Sequence, residues 1–172
     1  MYKITPIKVG QWVDEYSKIF FLKNFGEEYL VYSYIWLIED GKHKILVDTG
    51  YNLEFAKKYE PKCEQKKGEH PVEQLKKQNV DPLEIDYLII THAHFDHLSP
   101  QIENYKNAQI VIQRRELEYA TIPPHPWFKS FYHMPTIQKI IGDDFADRLC
   151  LVSGEKEILE GLKVFWTGGH TP

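Results

Sequence analysis

Tyr87-Leu88-Ile89-Ile90-Thr91-His92-Ala93-His94-Phe95-Asp96-His97 joins a short apolar run to a cluster of metal-type side chains. The bulky run Tyr87 to Ile90 is what a strand buried on both faces requires, so residues 85–90 read as a strand that delivers the chain into the histidines. Three imidazoles and one carboxylate then fall within six residues. Each is a good ligand for a borderline divalent ion such as zinc, and a solvated polar loop has no need of that concentration. If the backbone stays extended past the strand, His92 and His94 project to the same side, because side chains alternate with period two. Asp96 and His97, on the turn that follows, then face a second position nearby.

Working outward, β signals come first. Tyr2 to Val9 reads as a strand, and Tyr29 to Ile38, Asp40-Gly41 and Lys44 to Val47 read as a hairpin rich in β-branched and aromatic residues. After Asp48-Thr49-Gly50 the period changes, and Asn52 to Tyr59 and Pro71 to Gln78 read as surface helices. Beyond the histidines, Ser99 to Tyr105 reads as a helix, Gln109 to Gln113 as a strand, and Arg114 to Ala120 and Thr136 to Ile141 as helices. A second hairpin, Lys156 to Leu159 and Lys163 to Thr167, leads to Gly168-Gly169-His170. His170 follows a strand and two glycines that let the backbone come close to a site, which makes it the natural further ligand. Strands and helices interleave without a repeat or a linker, so residues 1–172 are expected to form one layered α/β domain.

Composition removes several function classes. A net charge of -4, with acids and bases mixed along the chain, offers no basic face for phosphate backbones, so no nucleic-acid partner is expected. The most apolar stretch, Tyr29 to Ile38, is short of the about 20 residues of a membrane span. The start, Met1 to Pro6, lacks a charged-then-apolar signal, and a cytoplasmic location is the default expectation. Cys63 and Cys150 are not in a CxxC pair, which argues for free thiols rather than a thiolate site. The aromatic segment Pro123 to Pro135 is the candidate pocket wall, with His125 and His133 left out of the site. A homo-oligomer is compatible with all of this.

Asp48-Thr49-Gly50, Thr91 to His97 and Gly168-Gly169-His170-Thr171-Pro172 occur in the order and approximate spacing of the metallo-β-lactamase superfamily. Asn107 to Tyr119, a strand then a helix, resembles its N-acyl homoserine lactonase branch. The resemblance implies an αββα sandwich with a two-zinc centre along its edge, iron or manganese being alternatives. It places His92, His94 and His170 on one metal, Asp96 and His97 on the other, and Asp48 behind them, orienting a ligand. The implied activity is hydrolysis of a small ester-like molecule, foremost a lactone, by a metal-bridged hydroxide, with Asp96 positioning the water and shuttling its proton. Such proteins take a bridging Asp and a last His from sequence beyond Gly-His-Thr-Pro. Both are missing up to Pro172, so a truncated sandwich with an uncovered apolar face is expected. The rival readings are a thioesterase, a metallonuclease, a di-iron oxidoreductase, which would carry a Glu in place of His94, and a non-catalytic metal-binding fragment.

Overall fold

A computed structural model describes residues 1–18, 20, 22–142 and 144–172. Six strands form the main sheet in chain order: β1 (Lys3–Glu15), β2 (Glu28–Glu39), β3 (Lys44–Val47), β4 (Tyr87–Ile89), β5 (Gln109–Gln113) and β6 (Leu149–Val152). β1, β2 and β3 pair antiparallel, while β4, β5 and β6 add in parallel to β3. The parallel strands therefore bring their carboxyl ends to one edge, and Asp48, Thr91 and Gln113 all emerge there.

Period-two alternation sorts the apolar residues onto two faces. Leu46, Leu88, Ile110 and Ile112 face one way and are covered by Leu75 of α2 (Pro71–Lys77), Leu117 and Ala120 of α3 (Arg114–Thr121), and Ile137 and Ile140 of α4 (Met134–Ile141). Ile45, Ile89, Val111 and Val152 face the other way. Against them pack Ile158, Leu159, Leu162 and Val164 of a hairpin, β7 (Glu155–Leu159) and β8 (Leu162–Phe165), which is a separate two-stranded sheet. The layers run helix, sheet, sheet. On the hairpin side of β2, Leu30, Tyr32, Tyr34 and Trp36 stay exposed, the uncovered apolar face anticipated above. The short α1 (Leu53–Ala56) packs apart, in an aromatic cluster of Tyr51, Phe55 and Phe95.

Several boundaries differ from the sequence reading. β1 runs on to Glu15; Gly10 hides the continuation, and its lack of a side chain is what admits the Tyr51 ring, since a β-carbon there would collide with the Tyr51 hydroxyl. The helix expected over 52–59 shortens to α1, and that expected over 99–105 is a 3-10 turn, Pro100–Asn104, capped by Ser99. β6 was not expected at all. Four residues after Arg148 carry too little periodicity to announce a strand, and pairing with β5 makes it one.

Candidate functional site

The loop after β4 carries the histidine motif, though not as a continued strand. β4 ends at Ile89, and only His94 keeps a strand-like pairing, a bridge to Tyr132. The backbone N–H of Phe95 donates to the Phe131 carbonyl at 2.9 Å, so loop 131–132, rather than β4, sets the attitude of His94. A turn follows at once: His97 N–H and Leu98 N–H both donate to the His94 carbonyl, at 3.0 and 2.8 Å. It turns Asp96 and His97 away from His94 while keeping the His97 ring 3.9 Å, centre to centre, from that of His92.

His170 arrives from the opposite end of the chain. One nitrogen each of His92, His94 and His170 lies within 4.8 Å of the others, the only such convergence of three or more ligand-type atoms among the described residues. His170 Nε2 is 3.1 Å from His94 Nδ1.

Behind the imidazoles stands Asp48, buried and held at φ +64°, a left-handed conformation that Asp and Asn tolerate better than most residues. Its Oδ1 accepts the Thr91 N–H at 2.8 Å, and its Oδ2 faces His97 Nδ1 at 2.8 Å. The Thr91 hydroxyl lies 2.9 Å from the same Oδ2 and 3.1 Å from His92 Nδ1. A hydroxyl has one proton to donate, and the carboxylate can only accept, so Thr91 donates to Asp48 and accepts from His92 Nδ1–H. His92 Nε2 is thereby left as a bare lone pair. That atom is buried and has no hydrogen-bond partner among the described residues. A buried polar atom without a partner is costly, and a divalent cation is one group that would satisfy it, so the donor set fits a metal ion.

The electrostatics follow from burial and neighbours. Burial, reinforced by the nearby His97 and His94, pushes His92 down to about 2. Burial and His170 push His94 down to about 4, so both rings are neutral at physiological pH. For His97 burial acts in the same sense, but the carboxylates of Asp96 and Asp48 on either side overcome it and raise the imidazole well above its ordinary value. Asp96 feels burial upward, yet the His97 cation holds it at about 2. His97 Nε2 and Asp96 Oδ2 are 3.1 Å apart.

Other residues complete the setting. Phe131 and Tyr132 stand beside the His94 ring, at 5.3 and 5.0 Å between ring centres, and Trp127 packs edge-on against Phe131, so part of the expected aromatic wall does flank the site. His125 caps the 3-10 turn Pro126–Phe131, and His133 bonds Thr136; neither joins the cluster. Thr91 and Glu116 were not singled out from sequence. Glu116 reads as an ordinary first-turn acid of α3, but it is 2% exposed and its Oε1 accepts the Ala93 N–H at 2.8 Å. A cavity of about 170 Å³ opens between Thr91, His92, Gln113, Glu116, Trp166 and His170.

Known proteins resemble this chain in sequence and in fold. The N-acyl homoserine lactonase AttM of Azorhizobium caulinodans is 31% identical over 114 residues, covering 60% of this chain and 41% of the relative. The N-acyl homoserine lactonase AiiA of Bacillus thuringiensis subsp. kurstaki is 25% identical over 182 residues, covering 99% of this chain and 67% of the relative. Among solved structures, a quorum-quenching N-acyl homoserine lactone lactonase superposes with a TM-score of 0.77 at 24% identity, over 99% of this chain and 65% of that one. An N-acyl homoserine lactone hydrolase with the product N-hexanoyl-L-homoserine at its catalytic metal centre gives 0.78 at 23%, over 99% and 67%. The chain thus spans between two fifths and two thirds of the length of these relatives, and the superpositions establish the fold. With residues 29–172 matching the family model described as the metallo-beta-lactamase superfamily, the chain belongs to that superfamily.

Proposed function

We propose that this chain, as one domain over residues 1–172, is the metal-holding part of a zinc-dependent hydrolase that opens a lactone. One observation carries the reading: imidazoles from two distant parts of the chain, His92, His94 and His170, converge with a buried, unpartnered nitrogen among them. The lactonase names of the relatives supply the substrate class.

His92, His94 and His170 would hold one ion, and Asp96 and His97 would contribute to a second position. A bound divalent ion supplies Lewis acidity that lowers the pKa of water and polarises the scissile carbonyl. The protein's own groups do the rest. Asp48 keeps His97 Nδ1 protonated, so that Nε2 points at the site, and Thr91 does the same for His92. The Asp96 carboxylate, held ionised beside His97, orients the attacking water and carries its proton to the alkoxide that leaves the ring. Phe131 and Trp127 form an apolar flank on the approach to His94, suited to a small molecule with a hydrophobic portion. For location we propose the cytoplasm, supported by two free thiols.

The test is metal content together with rates on an N-acyl homoserine lactone, a thioester and a phosphodiester. The expected result is at least one zinc per chain and turnover of the lactone fastest, lost in Asp96→Asn with the metal retained. Faster phosphodiester than lactone cleavage would make the chain a nuclease. Metal uptake with no turnover of any substrate would leave a binding module, and full activity of Asp96→Asn would remove that residue from the chemistry.

A further inference from the structure

Among the described residues, the hairpin that carries His170 shares no backbone ladder with the main sheet. Its last strand, β8, ends at Phe165, and Gly168 and Gly169, at φ +64° and +114°, intervene before the histidine. Two glycines give that stretch maximal backbone freedom, so nothing in the local chain fixes His170 against His92 and His94. The fixing groups come from one short junction, the end of β5 and the first turn of α3. Gln113 Nε2 donates to the Gly154 carbonyl at 2.8 Å and its Oε1 faces the Gly154 N–H at 3.3 Å, gripping the root of the hairpin. The same carbonyl accepts the Trp166 N–H at 3.0 Å, which ties the far end of β8 to that root. The Arg115 guanidinium lies over the Trp166 ring, 4.5 Å from its centre. Glu116, buried, accepts the Ala93 N–H between the two motif histidines and lines the same cavity as His170 and the Thr171 side chain beside it.

We propose that Gln113, Arg115 and above all Glu116 form a clamp that positions His170 against His92 and His94. Glu116 is a positioning residue. It holds the backbone beside two of the histidines and lines the cavity shared with the third, so one carboxylate sets the distance between two loops that the chain separates by more than seventy residues. Where the clamp bears on metal affinity it rests on the proposed metal site; as a device that orders the His170 loop it does not.

Two measurements on the intact chain decide it. In the metal-free protein, hydrogen exchange in Glu116→Ala should quicken at least about tenfold at Ala93 and across residues 166–172, as befits loss of a hydrogen bond to a buried charge, with β3, β4 and β5 unchanged. Glu116→Gln keeps an acceptor for Ala93 and should stay close to the parent. Unaltered exchange in residues 166–172, or equal acceleration throughout the sheet, would overturn the clamp, the second because it marks a core residue. With Co2+ as probe, Glu116→Ala should weaken binding by about 10- to 100-fold, the range for groups that orient metal ligands. It should also shift the visible cobalt spectrum toward that of His170→Ala, and add little in the double variant. Fully additive losses would overturn the inference. A parent chain that takes up no cobalt refutes the metal site instead, and the exchange comparison still decides the clamp.

Discussion

Changing Asp48 to Asn separates the architecture of the site from its chemistry. The replacement is nearly isosteric, and Asn accepts the left-handed φ of +64° that position 48 demands. Its orientation is not free. The Thr91 N–H, 2.8 Å from Oδ1, can only donate, so the amide oxygen must take that place and the NH2 must replace Oδ2. The NH2 then faces His97 Nδ1 at 2.8 Å, where the parent has an acceptor. The His97 cation must give up its Nδ1 proton so that Nδ1 can accept, and the proton on Nε2 stays there, donated to the Asp96 carboxylate 3.1 Å away.

In the metal-free protein this exchange is mild. One charge-assisted hydrogen bond becomes a neutral one, a loss of about 1 kcal/mol, and a chain of this size should lose about 2–4 °C in Tm. The consequence for metal is larger, because Nε2 is the nitrogen His97 would offer: with Asp48 the ring can keep its last proton on Nδ1 and free Nε2, whereas the NH2 introduced by Asp48→Asn forces that proton onto Nε2. Affinity at the Asp96–His97 position should fall by about 10- to 100-fold, or about 1.4–2.7 kcal/mol. The His92–His94–His170 position, which Asp48 reaches only through Thr91, should change far less. Zinc titration against a competing chelator, fitted to two sites, reads both numbers, and thermal melts in EDTA read the third. Unchanged affinity at the Asp96–His97 position with a normal melt would refute the assignment of Asp48 as the group that sets the His97 tautomer. A melt lowered by tens of degrees would show that the carboxylate serves the fold instead.

Four further outcomes follow from the same geometry. Because burial keeps His92 and His94 neutral down to about pH 2 and 4, neither should release a proton on binding the first ion. His97, protonated between two carboxylates, should release about one on binding the second at pH 7, so calorimetry in buffers of different ionisation enthalpy should show buffer-dependent heat in the second step. By the same sign, affinity at the second position should fall as pH drops below the raised pKa of His97. Cys63 is buried and its thiol is pushed by burial up to about 12, whereas Cys150 is partly exposed, so a disulfide reagent at pH 8 should label one thiol in the native protein and two in denaturant. Leu88→Ala, in the middle of the sheet with no exposed surface, should cost about 2–5 kcal/mol in urea unfolding, against under about 0.5 kcal/mol for Lys67→Ala on the surface; equal effects would place the core elsewhere.

What the sequence made legible was whatever local chemistry repeats. The hairpin of β2 and β3, the strand β5 and the helix α3 appear within a residue or two of where period and turn residues put them, because each is decided by its own alternation. β6 is illegible for the opposite reason: four residues become a strand only because β5 offers an edge. The candidate site divides the same way. His92, His94, Asp96 and His97 announce themselves by crowding, and His170 by its glycines. Thr91 and Glu116 do not, since a threonine at a strand end and a glutamate in a helix's first turn are ordinary in any protein. Their meaning lies in partners 43 residues away for Thr91 and 23 for Glu116.

An extended continuation of β4 would put His92 and His94 on one side, yet β4 stops at Ile89. The two rings do meet, 4.8 Å apart, with His94 held by its bridge to Tyr132 and the adjoining Phe95 N–H by the Phe131 carbonyl, before the chain turns. The aromatic loop therefore has two duties, to flank the approach to His94 and to hold the backbone that aims it. A substitution there which keeps Phe131 and Trp127 but disturbs the loop, such as Tyr132→Pro, removes the N–H that Tyr132 donates to the Lys129 carbonyl at 3.2 Å and should loosen the backbone that holds His94, lowering metal affinity and, through it, any turnover.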